Sequence, residues 1–302
     1  MSIPQPIFIL ASSRSFTSIV CAMLGQHPQA YGVPEINLCT RDTMEEFVQS
    51  SQKQKQFKIH GLWRTVAQLY TGEQTMHSVE MARRWVYRRK HLTTGEVYQE
   101  LCRKVAPLRI VDKSPAYAES SQAMARIAKT FPDARYLYMS RHPKDQGKSV
   151  LKSSQGLASL FMAHSFDNTT EPPTIDPQYF WYRTQVNILE FLDTIPSQQQ
   201  MRLRGEDLLN NPRAYLEQIC SWLDLDWDEE IYQIMLRTED SPYACMGPFN
   251  AQWGNNPGFQ KSPQFRYRPI EVSTNQGSLP WRKDHKGFEP SVMKMLVSLG
   301  YE

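Results

Sequence analysis

Residues 6–20 read "PIFILASSRSFTSIV". The apolar run Ile7 to Leu10 leads into small and polar residues around Arg14, and a helical pattern follows. Strand, tight turn and helix in this order are typical of phosphate-binding loops. The turn has no glycine and no Gly-Lys-Ser, so it does not match the loop of nucleoside triphosphatases. Taken alone, it is equally compatible with an ordinary strand–helix turn that has a Ser or Thr N-cap.

A second window, residues 134–153, reads "ARYLYMSRHPKDQGKSVLKS". It also predicts a strand, a turn containing Arg141, and a helix that begins near Lys144, with Ser149 eight residues after the arginine. The "GKS" at 147–149 imitates the end of a Walker A loop, but His142 stands where that pattern requires glycine. Two strand–basic turn–helix units in one chain therefore predict a ligand with two phosphate groups.

The pattern of short apolar runs and helical periodicity indicates the fold. Strands are predicted at 7–10, 108–111, 134–139 and 201–204, and helices at 16–26, 60–71, 77–91, 117–130 and 177–193. This alternation predicts an α/β fold of three layers with a central parallel sheet, whose ligands bind beyond the carboxyl ends of the strands. Residues 241–287 are rich in Pro, Gly, Asn and aromatics, which favours an ordered lid. We expect residues 1–302 to form a single domain ending in a helix.

Composition limits the classes of function. The 302 residues are 40% apolar and 22% charged with a net charge of +3, which indicates a soluble globular protein. This charge is too small for a nucleic-acid binder. We expect no signal peptide, because the N-terminal apolar run is only four residues long, and no apolar stretch of the sequence approaches the length that spans a membrane. Its five cysteines are widely spaced, which indicates neither a zinc site nor a disulfide framework and favours the cytoplasm.

Taken together, the two windows resemble the cofactor signature of the sulfotransferase superfamily, which uses 3′-phosphoadenosine 5′-phosphosulfate (PAPS). "VDKSPAY" (111–117) and "RGEDLLNNPRAYLEQICSWLDL" (204–225) are similar to further segments of that family. "GVPEINLC" (32–39) with the later His60 resembles the bacterial type attached to polyketide assembly lines. The resemblance covers roughly residues 6 to 237.

This resemblance implies a P-loop-like nucleotide-binding fold and a transfer of the sulfuryl group from PAPS to a hydroxyl or amine. It implies a small-molecule acceptor, a secondary metabolite that is either free or bound to a carrier protein. Carried over by motif, the 5′-phosphosulfate site comprises Arg14, Ser15, Phe16, Thr17 and Ser18. The 3′-phosphate site comprises Arg141 and Ser149, with Arg282 reaching it from the lid.

Sulfuryl transfer develops negative charge on the leaving phosphate oxygen, which fixed cations stabilise. Arg14 or Lys113 is suited to this role, although Lys113 could equally be a structural ion-pair member. The transferred group carries less charge than a phosphoryl group, so we predict no metal. Cytosolic relatives acting on small molecules carry a histidine two residues after the corresponding lysine, where this chain has Pro115.

The base must therefore come from elsewhere. His60, at the start of a predicted helix, and Glu35, after a predicted strand, are the two candidates. Either residue could instead be only a cap. Two other functions stay open at this point: a Mg²⁺-dependent phosphoryl transferase with Asp112 as its Walker B acid, and a nucleotide-binding module without catalysis.

Overall fold

The computed structural model describes residues 3–53 and 57–302. Within them, five parallel strands form a sheet in the order β2-β3-β1-β4-β7, and β5 and β6 form a separate antiparallel hairpin. The strands are β1 Ile7–Leu10, β2 Ala30–Gly32, β3 Arg109–Asp112, β4 Arg135–Ser140, β5 Phe166–Asp167, β6 Thr174–Ile175 and β7 Gln200–Arg204. The predicted α/β class with a parallel sheet is confirmed, and so are its four predicted strands. β2 is the strand expected before Glu35, for which no bounds were predicted because three residues are too short to show a period.

The helices surround this sheet. They are α1 Thr17–Gly25, α2 Met44–Lys53, α3 His60–Thr71, α4 Met76–Tyr87, α5 Thr94–Val105, α6 Ser121–Thr130, α7 Pro143–Leu151, α8 Ser154–Met162, α9 Pro177–Leu192, α10 Gly205–Asn210, α11 Pro212–Trp222, α12 Glu229–Met235, α13 Pro257–Lys261 and α14 Pro290–Ser298. The prediction at 117–130 placed the start too early. Residues 115–117 form a 3-10 turn, and α6 begins only after its N-cap Ser120, whose Oγ accepts from the Ala123 N–H.

The first strand shows why the sheet needs helices on both faces. All four of its residues are buried. Phe8 and Leu10 pack into one core cluster, whereas Ile7 and Ile9 pack into another on the opposite face. A strand whose alternate side chains both meet protein reads as a continuous apolar run, which is the pattern seen in the sequence.

The parallel pairing brings the predicted functional segments together. Strand β1 lies between β3 and β4, with Phe8 opposite Asp112 and Leu10 opposite Tyr138. The residues that follow these three strands therefore share one edge of the sheet. This edge carries the turn around Arg14, the segment beginning at Lys113, and the turn containing Arg141.

Residues 241–287, which we call the lid segment, contain a 3-10 turn at Phe249–Ala251 and the short helix α13 but little other regular structure. The segment is tied to the domain: the Tyr243 hydroxyl lies 3.1 Å from that of Tyr31, and Phe259 is buried. Among the described residues, no helix is both long and apolar enough to cross a bilayer.

Candidate anion-binding and acid–base site

The turn between β1 and α1 has the backbone of a glycine loop without any glycine. Arg14 (φ 68°) and Phe16 (φ 62°) both adopt the left-handed conformation, which costs a non-glycine residue about 1–2 kcal/mol. Phe16 is the N-cap of α1, and its side chain makes no capping hydrogen bond. Among the described residues, the N-cap side chain of α1 thus leaves the first-turn N–H groups uncapped, as an anion site at a helix start requires. Strain of this kind is characteristic of functional loops.

The Phe16 ring holds this loop against the second window. The Arg141 guanidinium carbon lies 4.2 Å from the centre of the ring. On another side, the ring packs against Gly205 at the start of α10, where an added Cβ would lie only 2.8 Å from Phe16 Cδ2. Phe16 therefore fits at this position because the segment against which its ring packs has a glycine, without a side chain, at position 205.

The start of α7 differs, because its N-cap side chain is bonded to it. His142 Nδ1 accepts from the Lys144 N–H (3.2 Å), whereas Asp145 in the first turn accepts from the Ser273 N–H (3.0 Å) and joins α7 to the lid segment. Gly147 lies inside the helix, where an added Cβ would come within 2.7 Å of the Trp281 indole. The "GKS" segment thus provides a packing surface for a tryptophan and cannot form a phosphate loop.

The two windows meet directly. Arg14 Nε donates to Ser149 Oγ (3.1 Å), and Arg141 Nη1 donates to the Arg14 carbonyl (2.6 Å). Arg141 Nε is buried without a hydrogen-bond partner among the described residues, and burial lowers the pKa of this guanidinium. The contacts join residues that are 127 and 135 positions apart into one cationic site. Among the described residues, these two contacts use only part of the hydrogen-bonding capacity of the Arg14 and Arg141 guanidinium groups.

Other predicted loop residues line the same region. Ser15 is buried with its Oγ 3.1 Å from Ser12 Oγ, and Thr17 is buried in the first turn of α1. Ser18 lines a small cavity together with Lys113 and Tyr243. Ser18, in the first window, therefore lies close to Lys113.

Lys113 and Glu35 form an ion pair beside this loop. Lys113 Nζ lies 2.6 Å from Glu35 Oε1, and the lysine side chain is 1% exposed whereas the glutamate is 30% exposed. Burial lowers the pKa of Arg14, while the charge of Glu35 acts in the opposite direction, which places the carboxylate within electrostatic reach of the loop. The pair is compatible with a structural role, and its partial exposure leaves the carboxylate accessible.

His60 is the first residue of α3 and is buried. Its Nδ1 accepts from the Trp253 backbone N–H at 3.3 Å, and its ring lies 5.4 Å from that of Trp63. The pKa of His60 is lowered to about 4, chiefly by burial and further by the charges of Arg64 and Arg83. The His60 ring is therefore neutral at physiological pH. The sequence indicated only the helix start as a cause, whereas the structure adds burial and two neighbouring arginines.

The backbone brings His60 and Glu35 together. A Cβ on Gly61 would lie 2.0 Å from the Glu35 carbonyl oxygen, and one on Gly254 would lie 2.6 Å from Gly61 Cα. The Glu35 N–H donates to the Gly254 carbonyl at 2.6 Å. Three distant stretches of chain thus meet at two glycines, beside both predicted bases.

The structure surrounds Arg282 with carboxylates. Its guanidinium contacts Asp167 (2.6 Å), Asp176 (2.9 Å) and Asp284 (2.8 Å), and its side chain is 4% exposed. These carboxylates fix the lid segment to the β5–β6 hairpin and α9. Asp167 and Asp176 lie more than 100 residues earlier in the chain, so no local pattern indicates this pairing. We therefore leave Arg282 out of the phosphate site proposed below.

Two residues near the site were missed in the sequence. Gln146 is buried on α7 and donates to the Ser13 carbonyl at 2.8 Å, while its Oε1 has no partner among the described residues. Arg64 is fully buried one turn after His60. An arginine within the apolar face of a helix was the signal available for the second, since charged side chains are rarely buried completely.

The comparisons with known proteins agree with this geometry. A family model described as "Sulfotransferase family" matches residues 6–229. The sulfotransferase domain from the curacin biosynthetic pathway is 22% identical (TM-score 0.70), and the match covers 100% of this chain and 99% of that one. The sulfotransferase domain from the Synechococcus PCC 7002 olefin synthase is also 22% identical (TM-score 0.66), with coverage of 100% and 97%.

A search of curated proteins found no match. The two solved structures support the fold, while the family model spans most of the chain and includes both anion windows and the ion pair. This chain belongs to the sulfotransferase family.

Proposed function

We propose that this enzyme transfers a sulfuryl group from PAPS to a hydroxyl group of a small-molecule acceptor, with an amine as the alternative nucleophile. The observation that carries this proposal is the direct contact of the two anion windows through Arg14, Ser149 and Arg141. Two phosphate-binding elements within hydrogen-bond distance of one another suit a nucleotide that is phosphorylated at both its 3′ and 5′ positions.

In this proposal each element binds a different part of the donor. The start of α1, with Arg14 and Ser15 to Ser18, binds the 5′-phosphosulfate through backbone N–H groups and hydroxyls. Arg141 and Ser149 bind the 3′-phosphate. Arginine suits both positions because its guanidinium is permanently charged and forms two parallel hydrogen bonds to a phosphate.

The chemistry follows from the groups beside the loop. Lys113 and Arg14 stabilise the negative charge that appears on the 5′-phosphate oxygen as the S–O bond breaks. Either Glu35 or His60 accepts the proton of the acceptor hydroxyl while its oxygen bonds to sulfur. None of these steps calls for a metal ion.

The acceptor is proposed from the relatives. The two solved structures are named as domains from the curacin pathway and from an olefin synthase, and this chain matches nearly their whole length. We therefore propose a secondary-metabolite hydroxyl compound as the acceptor, either free or bound to a carrier protein. We also propose that the enzyme works in the cytoplasm.

The competing phosphoryl-transferase reading has little support at Asp112. This carboxylate is fully buried and accepts hydrogen bonds from the Tyr98 hydroxyl (3.2 Å), the Tyr117 hydroxyl (3.0 Å) and both the N–H and Oγ of Ser114 (3.0 and 2.7 Å). Burial raises its pKa to about 6. A carboxylate turned into the core and satisfied in this way is poorly placed to bind a Mg²⁺–nucleotide complex.

Thermal-shift measurements test the proposal. We expect 3′-phosphoadenosine 5′-phosphate (PAP), the product of the donor, to raise the melting temperature, because a ligand that binds only the folded state stabilises it. ATP with Mg²⁺ should have a much smaller effect. Stabilisation by ATP–Mg²⁺ alone would refute the proposal. Binding of PAP without sulfation of any hydroxyl or amine acceptor in a broad panel would instead favour the non-catalytic module.

A further inference from the structure

The hydrogen bond at His60 determines which ring nitrogen carries the proton. The Trp253 backbone N–H can only donate, so Nδ1 must present its lone pair. A neutral imidazole has a single N–H, which is then on Nε2. In this geometry the Nε2 atom of His60 is therefore a hydrogen-bond donor.

Close backbone packing holds the donating N–H in place. Gly254, with φ 104°, adopts a conformation that L side chains rarely reach, and its Cα approaches Gly61 so closely that no Cβ fits. Its carbonyl accepts from the Glu35 N–H at 2.6 Å. Since Trp253 immediately precedes Gly254, the contact that fixes the His60 tautomer is built into the same junction that positions Glu35.

Arg64 gives a second reason for His60 to remain neutral. This fully buried guanidinium lies one helical turn after His60 and donates to Gln74 Oε1 (2.6 Å) and to the Cys245 carbonyl (2.8 Å). Both acceptors are uncharged, so no carboxylate among its hydrogen-bond partners in the described chain offsets this cation. Its field opposes protonation of the neighbouring imidazole and acts in the same direction as burial and Arg83.

From these contacts we infer that His60 acts as a hydrogen-bond donor through Nε2 to the acceptor oxygen, and that Glu35 is the group that takes the proton. The inference rests on the proposed sulfuryl transfer. The acceptor oxygen forms a bond to sulfur, its proton passes to a Glu35 carboxylate oxygen, and the S–O bond to the 5′-phosphate breaks. The electron pair of that bond stays on the phosphate, where Arg14 and Lys113 stabilise it. The Trp253 N–H is a positioning group.

The first test reads the tautomer directly. In protein labelled with ¹⁵N-histidine, two-bond ¹H–¹⁵N correlations distinguish an unprotonated Nδ1 from an unprotonated Nε2. We expect His60 to show an unprotonated Nδ1 at neutral pH. His142 provides an internal reference, because its Nδ1 accepts from a backbone N–H while its Nε2 lies 3.0 Å from Asn275 Oδ1. A proton on His60 Nδ1 would overturn the inference whether or not PAP binds.

A pair of glycine variants tests the positioning by Trp253. Gly254→Ala places a Cβ 2.6 Å from Gly61 Cα, and Gly277→Ala imposes a similar left-handed penalty (φ 80°) with no atom within 4 Å. We expect Gly254→Ala to give a mixture of His60 tautomers, and Gly277→Ala to leave the wild-type spectrum. An unchanged His60 spectrum in folded Gly254→Ala would show that the junction does not set the tautomer. If that variant does not fold, the wild-type spectrum still decides.

The second test separates donor from base by turnover. The probe acceptor 4-nitrophenol is largely ionised at pH 8 and needs no base, whereas an aliphatic alcohol does. Glu35→Gln should lose far more turnover with the aliphatic alcohol than with 4-nitrophenol, whereas His60→Ala should lose about 100-fold with 4-nitrophenol as well, because the acceptor oxygen is then no longer held in line with the sulfur. His60→Gln, which retains an N–H near Nε2, should recover part of that loss. Near-normal turnover of 4-nitrophenol by His60→Ala would identify His60 as the base.

Discussion

The two strand–turn–helix windows look alike in sequence but are built on different physical principles. At the start of α1 the N-cap Phe16 makes no capping hydrogen bond with its side chain, and Arg14 and Phe16 hold strained left-handed backbone. At the start of α7, His142 caps the helix, and the groups proposed to bind the ligand are the side chains of Arg141 and Ser149. On the proposed function, the difference means that the first window would offer backbone N–H groups to an anion, whereas the second would offer side chains carried by a helix whose N-cap side chain is already bonded to it.

The largest expected effect comes from removing the arginine of the second window. We expect Arg141→Ala to weaken PAP binding by about 100-fold, since truncating one partner of a hydrogen-bonded charge pair costs about 2–5 kcal/mol. If this window binds only the 3′-phosphate, the affinity for adenosine 5′-phosphate should hardly change. Arg14→Ala should weaken both ligands by similar factors. Isothermal titration calorimetry on the two variants gives all four ratios.

The control for charge loss is Arg213→Ala, which removes an arginine paired with Glu229 on the surface. It should leave both affinities unchanged. Equal losses for the two ligands in Arg141→Ala would mean that Arg141 supports the whole cofactor site through its contacts with the Arg14 carbonyl and Phe16, and that the two windows do not divide the ligand between them.

The fold could be predicted from the sequence more completely than the site. Strands such as Ile7–Leu10 were predictable because a strand buried on both faces produces a continuous apolar run. The parallel order of the sheet then placed Arg14, Lys113 and Arg141 at one edge without any further information. Local patterns are sufficient wherever burial and strand direction decide the outcome.

The sequence could not predict contacts set by distant segments. The uses of Gly147 and Gly205 depend on Trp281 and Phe16, which lie 134 and 189 positions away. The carboxylates around Arg282 and the Trp253 N–H at His60 are equally remote. The family resemblance suggested a phosphate ligand for Arg282 and, together with Pro115, a base for His60. The groups that contact these two side chains come from parts of the chain with no local pattern.

Two glycines sharpen the comparison between the windows. A Cβ would lie 2.7 Å from the Trp281 ring at Gly147 and 2.8 Å from the Phe16 ring at Gly205. Each Gly→Ala variant should lose about 2 kcal/mol of unfolding free energy through overpacking. Only Gly205→Ala should also weaken PAP binding, because it moves the ring beneath Arg141. Urea unfolding and PAP titration measure both quantities.

In that case the substitution of Gly147, in the Walker-like "GKS", would affect stability alone, whereas the substitution of Gly205, outside any phosphate motif, would also weaken PAP binding. The opposite result, loss of PAP binding in folded Gly147→Ala with normal binding in Gly205→Ala, would give Gly147 a role in ligand binding.

The strained backbone of the first window is tested by a pair of substitutions at Phe16. Phe16→Gly and Phe16→Val both remove the ring, so the lost contacts with Arg141 largely cancel when the two are compared. Glycine adopts φ 62° freely, whereas a β-branched residue does so poorly. We expect Phe16→Val to be less stable than Phe16→Gly by about 1–2 kcal/mol in urea unfolding. Equal stabilities would show that the left-handed conformation is not maintained in solution.

The smallest expected effect is at the point where the windows touch. Ser149→Ala removes one hydroxyl, whose Oγ accepts from Arg14 Nε at 3.1 Å. The loss of a single hydrogen bond is worth about 0.5–1.5 kcal/mol, so PAP should bind up to about tenfold more weakly. Adenosine 5′-phosphate should bind unchanged or slightly better, because Arg14 is then released from the serine and can turn fully to the 5′ group. Ser154→Ala, at the first position of α8, is the matched serine control. An equal loss of affinity for both nucleotides in Ser149→Ala would mean that the serine serves the ligand by holding Arg14, and that the 3′-phosphate is bound by Arg141 without it.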